Sequence, residues 1–152
     1  MADRLTYAMI GGGIGAFIGE VHRRAVSLDD RATLVAGALS STPEKSKQSA
    51  EQLGLDPERS YGRYQELFEQ ESKRDDRVDF VSIVTPNDTH YPIAKMALEH
   101  GFHVVLDKPA THTSEQAAEL ARLAESKGLV CCVTYNYTGY PMVRQARAMI
   151  EE

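Results

Sequence analysis

The sequence predicts an α/β fold: a doubly wound parallel sheet with helices on both faces. Apolar runs of strand length alternate five times with longer segments of helical spacing. Those runs are apolar almost throughout, as strands are when helices cover both faces of a parallel sheet. A glycine-rich turn stands between the first run and the first helix, at the edge where such sheets receive ligands. Repeated strand–helix units imply right-handed βαβ crossovers. No linker or change of composition marks a second domain, so residues 1–152 read as one domain.

Taken in order, the predicted strands are "LTYAMI" (5–10), "TLVAGAL" (33–39), "VDFVSIV" (78–84), "HVVLD" (103–107) and "LVCCVTY" (129–135). The first helix, "FIGEVHRRAVSL", puts Phe17, Ile18, Val21 and Ala25 on one face. "PEKSKQSAEQLG" starts at Pro43 and stops at Gly54, the usual asymmetry of helix ends. "YQELFEQESKR" and "YPIAKMALEHG" follow. Next comes "TSEQAAELARLAESKG", with Thr113 or Ser114 as N-cap and Lys127–Gly128 at its close. The segment "PMVRQARAMIEE" has helical spacing and is amphipathic.

Bulk properties exclude several classes. A net charge of −5 argues against a nucleic-acid surface, which needs clustered excess Lys and Arg. The one compact basic patch, "HRR" at 22–24, reads as the solvated face of a helix. No apolar stretch approaches the ~20 residues that span a bilayer. The start "MADRLTYAMI" lacks the features of a secretory signal. Cys131 and Cys132 are adjacent and read as reduced residues of a buried strand. These features together point to the cytoplasm.

Five glycines fall between Ala8 and Glu20, and each costs backbone entropy on folding. Placed between a strand and a helix, they suit a dinucleotide pyrophosphate. Gly11 allows the tight turn, Gly13 lets the backbone approach the ligand, and the amides at the helix start face the anion. The third small position is Ala16 in strict G-x-G-x-x-A register or Gly19 in a longer loop. Gly11, Gly13, Ile14, Gly15, Ala16 and Gly19 are therefore the candidate phosphate cradle. At the tip of the second strand, "SSTPEKSK" offers Ser40, Ser41, Thr42 and Lys45 where NAD-preferring sites usually carry an acid. This predicts that NADP is preferred over NAD or at least tolerated. The competing readings are a capping box of Ser41 with Glu44, or Glu44 reaching the ribose and favouring NAD.

After the third strand, Thr85 and Pro86 reach the ligand edge, and Asn87 can donate and accept hydrogen bonds there. Alternatively Asn87, Asp88 or Thr89 only caps the following helix. Lys108, between an acid and a proline at the end of the fourth strand, either emerges at the same edge or is a solvated loop lysine. No metal site is read.

With those residues in place, the chain resembles the glucose–fructose oxidoreductase/inositol dehydrogenase/rhizopine-catabolism (Gfo/Idh/MocA) family of NAD(P)-dependent oxidoreductases. The resemblance covers essentially the whole chain. It rests on the glycine loop with Gly19-x-x-His22, on "TPNDTHYPIA", on "DKP" at 107–109 and on "TYNYTGYP" at 134–141. It implies a Rossmann-type domain in which Lys108 contacts the nicotinamide ribose and the reacting hydroxyl, with Asp107 orienting its loop. It also implies that Thr85, Pro86, Asn87 and His90 line the dinucleotide, and that Asn136 matches the asparagine after the family's sixth strand. Asp107 stands where the family usually has glutamate, Tyr137 where it often has arginine, and the glycine loop is three residues longer.

The family also carries a C-terminal α/β substrate domain that this chain does not contain. The resemblance therefore implies the cofactor-binding half of a homo-oligomeric enzyme, which interconverts a secondary alcohol and a ketone on a sugar or polyol. These residues alone would be inactive. A non-catalytic dinucleotide-binding or sensor domain is the alternative; a flavodoxin-like domain has no use for the glycine loop.

Overall fold

The computed structural model describes residues 4–151. Five parallel strands, β1 (Leu5–Gly11), β2 (Ala32–Ala38), β3 (Phe80–Val84), β4 (His103–Leu106) and β5 (Cys131–Val133), pair in the order β2-β1-β3-β4-β5. Six helices, α1 (Phe17–Ser27), α2 (Pro43–Gln52), α3 (Tyr64–Glu71), α4 (Asn87–Glu99), α5 (Ser114–Ser126) and α6 (Pro141–Glu151), complete the described chain. This is the predicted doubly wound sheet. The run read for β1 stops one residue short and that for β2 lies one residue late, whereas the other three overshoot by one to four residues, as at Leu129–Val130 before β5.

The sheet is buried on both faces, and the two-residue period of a strand divides its core. Ala8 and Ile10 of β1 pack with Ile83, Phe68, Leu98 and Phe102 on one face. Tyr7 and Met9 pack with Leu39, Ala50, Leu55 and Val84 on the other. Truncating a side chain such as Phe68, which is fully buried, would cost about 3–5 kcal/mol.

Three sequence readings change. First, α1 does not bury the face carrying Phe17 and Val21, which are 80% and 41% exposed. It buries Gly19 and His22 instead. A Cβ on Gly19 would lie 2.3 Å from the Gly12 Cα, so the helix seats backbone to backbone against the loop. That seating, together with Ile18 of the predicted face and Val26 half-buried against the core, sets its orientation. Second, "HRR" is not a solvated patch. His22 is buried, and Arg23 donates to the Gly12 carbonyl at 2.7 Å. Only Arg24 lies on the exposed face, paired with Glu20 one turn earlier. Third, β5 is a sheet edge, so Cys132 is exposed rather than buried, although both cysteines are free. Partial burial pushes the Cys131 thiol upward.

Helix ends follow the sequence more closely. Thr113 accepts from the Gln116 amide at 3.3 Å as N-cap of α5. Gly54 and Gly128 take positive φ beyond α2 and α5. Among the described residues, no helix is long and apolar enough to cross a membrane.

Candidate dinucleotide site

The chain leaves β1 toward β2 on one side and returns to β3 on the other, so the order of connection reverses between β1 and β3. Crevices at such reversals, beyond the carboxyl ends of the strands, take ligands in open α/β sheets. A groove of about 680 Å³ opens there. Its floor is Gly11 and Gly12, one wall is Leu39–Ser41 with Gly62–Gln65, and the other is Val84–Pro86.

The glycine loop is built by close approach. Gly11 has φ +79°, and a Cβ there would meet Thr85 at 2.9 Å. Gly13 does not open onto the groove. A Cβ on it would strike the Ser49 hydroxyl at 2.5 Å and the Leu39 carbonyl at 2.6 Å, so it is glycine in order to pack against α2 and the end of β2. Of the two candidates for the third small position, Gly19 makes the helix–loop contact, whereas Ala16 is the residue before α1.

Several loop amides are already committed: Gly13 donates to the Leu39 carbonyl, Ile14 to the Ser49 hydroxyl, and Ala16 to the Gly13 carbonyl, all at 3.0 Å. The Gly15 amide and the first-turn amides of α1, Phe17 and Ile18, are left to meet an anion. Gly13, Ile14 and Gly15 line a smaller recess of about 350 Å³ between α1 and α2, while Ala16 lines both spaces.

Two serines of α2 that the sequence reading passed over hold the β2 wall. Ser46, fully buried, accepts from the Leu39 amide at 2.8 Å and donates to the Tyr61 carbonyl at 2.6 Å. Ser49 accepts from Ile14 and donates to the Lys45 carbonyl at 2.7 Å. Their signal was present: Ser46, Ser49 and Ala50 form a small-residue face at helical spacing in an otherwise polar helix.

Behind this wall, Glu71 is fully buried and grips Arg59 through Nε–Oε1 at 2.9 Å and Nη2–Oε2 at 2.5 Å. The Tyr61 hydroxyl donates to the same carboxylate at 2.8 Å. Burial, and then the Glu71 carboxylate, push the Tyr61 phenol far up.

Ser40 and Ser41 line the groove; Thr42 and Lys45 do not. The capping box of Ser41 and Glu44 is not formed either, because Thr42 is the N-cap residue and no side chain caps the helix. Arg63 stands on this wall instead. Asp88 is the only acid lining the groove among the described residues, and it lies at the opposite, Pro86 end.

At the β3–β4 edge, Thr85 and Pro86 line the groove and Asn87 opens α4, exposed, with Pro86 as N-cap. None of the three proposed caps closes this helix by capping its amides. The Thr89 hydroxyl instead lies 2.7 Å from the Pro86 carbonyl and 2.8 Å from the Thr85 hydroxyl. His90 belongs to this segment, but its side chain is fully buried beneath it. Its ring nitrogens lie 2.9 Å from the Thr85 carbonyl oxygen and 2.8 Å from that of Pro109. Lys108 is exposed just past β4, and the half-buried Asp107 before it contacts Thr134 and His22. Asn136 is exposed in a short 3-10 turn after β5.

These residues fit a dinucleotide. The groove has the volume of a cofactor site. Its floor is held open by Gly11 and Gly12, where a Cβ would strike Thr85, Val84 or Gly19, and the unpaired Gly15 and Phe17 amides belong to residues lining the adjoining recess. A parallel sheet with this crevice and loop defines a Rossmann-type dinucleotide-binding domain.

Comparison with known proteins agrees. The pattern of the GFO_IDH_MocA oxidoreductase family, NAD-binding Rossmann fold, matches residues 5–135. The chain belongs to this family. It is 46% identical over 149 residues to the uncharacterized oxidoreductase YfiI of Bacillus subtilis, covering 97% of this chain and 38% of that protein. It is 30% identical over 157 residues to the levoglucosan dehydrogenase of Pseudarthrobacter phenanthrenivorans, covering 99% of this chain and 38% of that one. Among solved structures, an inositol dehydrogenase homolog from Azotobacter vinelandii complexed with NADH and myo-inositol superposes with TM-score 0.94 at 44% identity, covering 99% of this chain and 40% of that one. The chain thus spans about 38% of the length of these curated relatives.

Proposed function

We propose that the chain is the cofactor-binding part of a nicotinamide-dependent oxidoreductase that interconverts a secondary alcohol and a ketone on a sugar or polyol. The observation that carries this reading is the placement of Lys108. It leaves the end of β4 exposed, at the same sheet edge as Thr85 and Pro86, which line the groove.

A bound dinucleotide would supply the hydride donor or acceptor. The glycine floor and helix-start amides would hold its pyrophosphate, and Thr85, Pro86 and Asn87 would border its nicotinamide half. Lys108 would bind the reacting oxygen, stabilise negative charge as the hydroxyl proton leaves, and orient the carbinol carbon.

At the β2 tip, Ser40, Ser41 and the Arg63 cation line the groove, and no acid lines it at that end. That combination suits a ribose 2′-phosphate, so NADP is accepted at least as well as NAD. The sugar and polyol names of the relatives support the substrate class, and further residues acting on the substrate would come from a second domain.

Lys108→Ala should lower kcat by at least ~100-fold in the enzyme, assayed with a panel of sugars and polyols that includes myo-inositol. Cofactor affinity should change much less. Near-normal turnover would return Lys108 to the status of a surface lysine, whereas no turnover in the unaltered enzyme would favour a binding or sensor domain.

A further inference from the structure

Beneath Lys108 runs a chain of buried polar groups that the groove itself does not use. Four elements contribute to it. The Ser82 hydroxyl on β3, 1% exposed, lies 3.2 Å from Nδ1 of His22 on α1. The other ring nitrogen, Nε2, faces Oδ1 of Asp107 at 3.5 Å, an ion-pair contact rather than a tight hydrogen bond. Thr134, just past β5, donates to the same Oδ1 at 3.1 Å. On the other flank of Lys108, the buried His90 lies against the Pro109 carbonyl.

An imidazole buried to this degree needs polar partners, whereas an apolar side chain would fill the same place without that requirement. Here the partners lead to the carboxylate immediately preceding Lys108.

Resting on the oxidoreductase reading above, we propose that His22 is a positioning residue for Lys108. Together with Thr134 it holds the Asp107 carboxylate from beneath the sheet edge, so that the next residue is presented to the groove in one orientation. The residues on both sides of Lys108 are then fixed, Asp107 by His22 and Thr134, and Pro109 by His90. Misplacement of a reacting group by about 1 Å can cost on the order of 100-fold in rate, so a loosened Asp107 acts on turnover more than on cofactor binding.

The test compares His22→Leu, His22→Gln and Thr134→Val in the enzyme, with myo-inositol as the probe alcohol. Two quantities are read: steady-state constants, and backbone hydrogen exchange over residues 107–110 without substrate. His22→Leu should lower kcat about 10–100-fold with the KM for cofactor little changed, and should speed exchange of that segment about tenfold or more. His22→Gln, whose amide nitrogen can reach the position of Nε2, should recover most of both. Thr134→Val, nearly isosteric, should show a smaller loss of the same kind.

Unchanged kcat in His22→Leu and Thr134→Val overturns the proposal, as does a glutamine variant no better than leucine, which would make the histidine a packing residue. If His22→Leu does not fold, Thr134→Val and His22→Gln still decide it. Lys108→Ala separates the two levels. An inactive Lys108→Ala beside a normal His22→Leu removes only the positioning role, a fully active Lys108→Ala removes the lysine's catalytic role and this role with it, and an unaltered enzyme that turns over no sugar or polyol removes the oxidoreductase reading.

Discussion

The β2 wall of the groove and the sheet edge just past β4 are held by different chemistry. At the β2 end, neutral serine hydroxyls tie backbone to backbone, and a fully buried Glu71–Arg59 pair with Tyr61 stands behind them. At the β4 end, two histidines and a threonine contact the residues on either side of a single exposed lysine, the Asp107 carboxylate and the Pro109 carbonyl. The first arrangement keeps a wall in place; the second, on the proposal above, aims a side chain. Damage at the β2 end should therefore appear as lost stability and cofactor binding, and damage at the β4 end as lost turnover in a protein that still folds.

The largest expected effect on stability is at the β2 end. Glu71→Ala leaves the buried Arg59 guanidinium only its looser, exposed partner Asp76 and should cost about 3–5 kcal/mol, read as a fall in the denaturant midpoint at unchanged slope. A cost below about 1 kcal/mol would show that this pair does not hold the wall. Ser46→Ala should cost about 1–3 kcal/mol, because the Leu39 amide and the Tyr61 carbonyl both lose their partner in the interior. Dinucleotide affinity should fall in step with it. If stability falls while affinity does not, the wall and the site are independent.

How far this could be read from the sequence differs between the two ends. The fold was legible, because strands covered on both faces declare themselves as continuous apolar runs. So was the groove's floor, because few uses other than close backbone approach call for so many glycines after a strand. The roles within the floor were not. Gly13 and Gly19 are both glycine for steric reasons, but the contacts that forbid a side chain come from Leu39, Ser49 and Gly12, at least seven residues away in sequence. The face of α1 was misread because an apolar count favours Phe17 and Val21, while the helix is seated by Gly19. Buried polar residues were the least legible. His22, Ser46 and Ser49 look like surface residues until the topology brings their partners to them.

The smallest effect lies outside both ends and serves as a baseline. Lys95 and then Tyr91, both on α4, hydrogen-bond the Glu119 carboxylate on α5 and hold its carboxyl below the usual carboxylate range. A depressed carboxylate contributes stability that is full above its unfolded value, near ~4.3. That contribution is lost as pH falls through the lower folded value. Glu119→Gln should therefore narrow the stability difference between neutral and acid pH slightly and leave cofactor binding untouched. A large loss of binding in this variant would mean that the α4–α5 contact reaches the groove.

The central claim is that a dinucleotide lies between the ends of β1 and β3 with its adenosine ribose at Ser40, Ser41 and Arg63. Calorimetric titration with NADPH and NADH, on the protein and on Ser41→Asp, tests it most directly. The account predicts saturable binding of both, with NADPH at least as tight as NADH, and a shift toward NADH of about tenfold or more when an aspartate at position 41 repels the 2′-phosphate. Binding of neither cofactor, or NADH tenfold tighter with Ser41→Asp leaving the ratio unchanged, would contradict it.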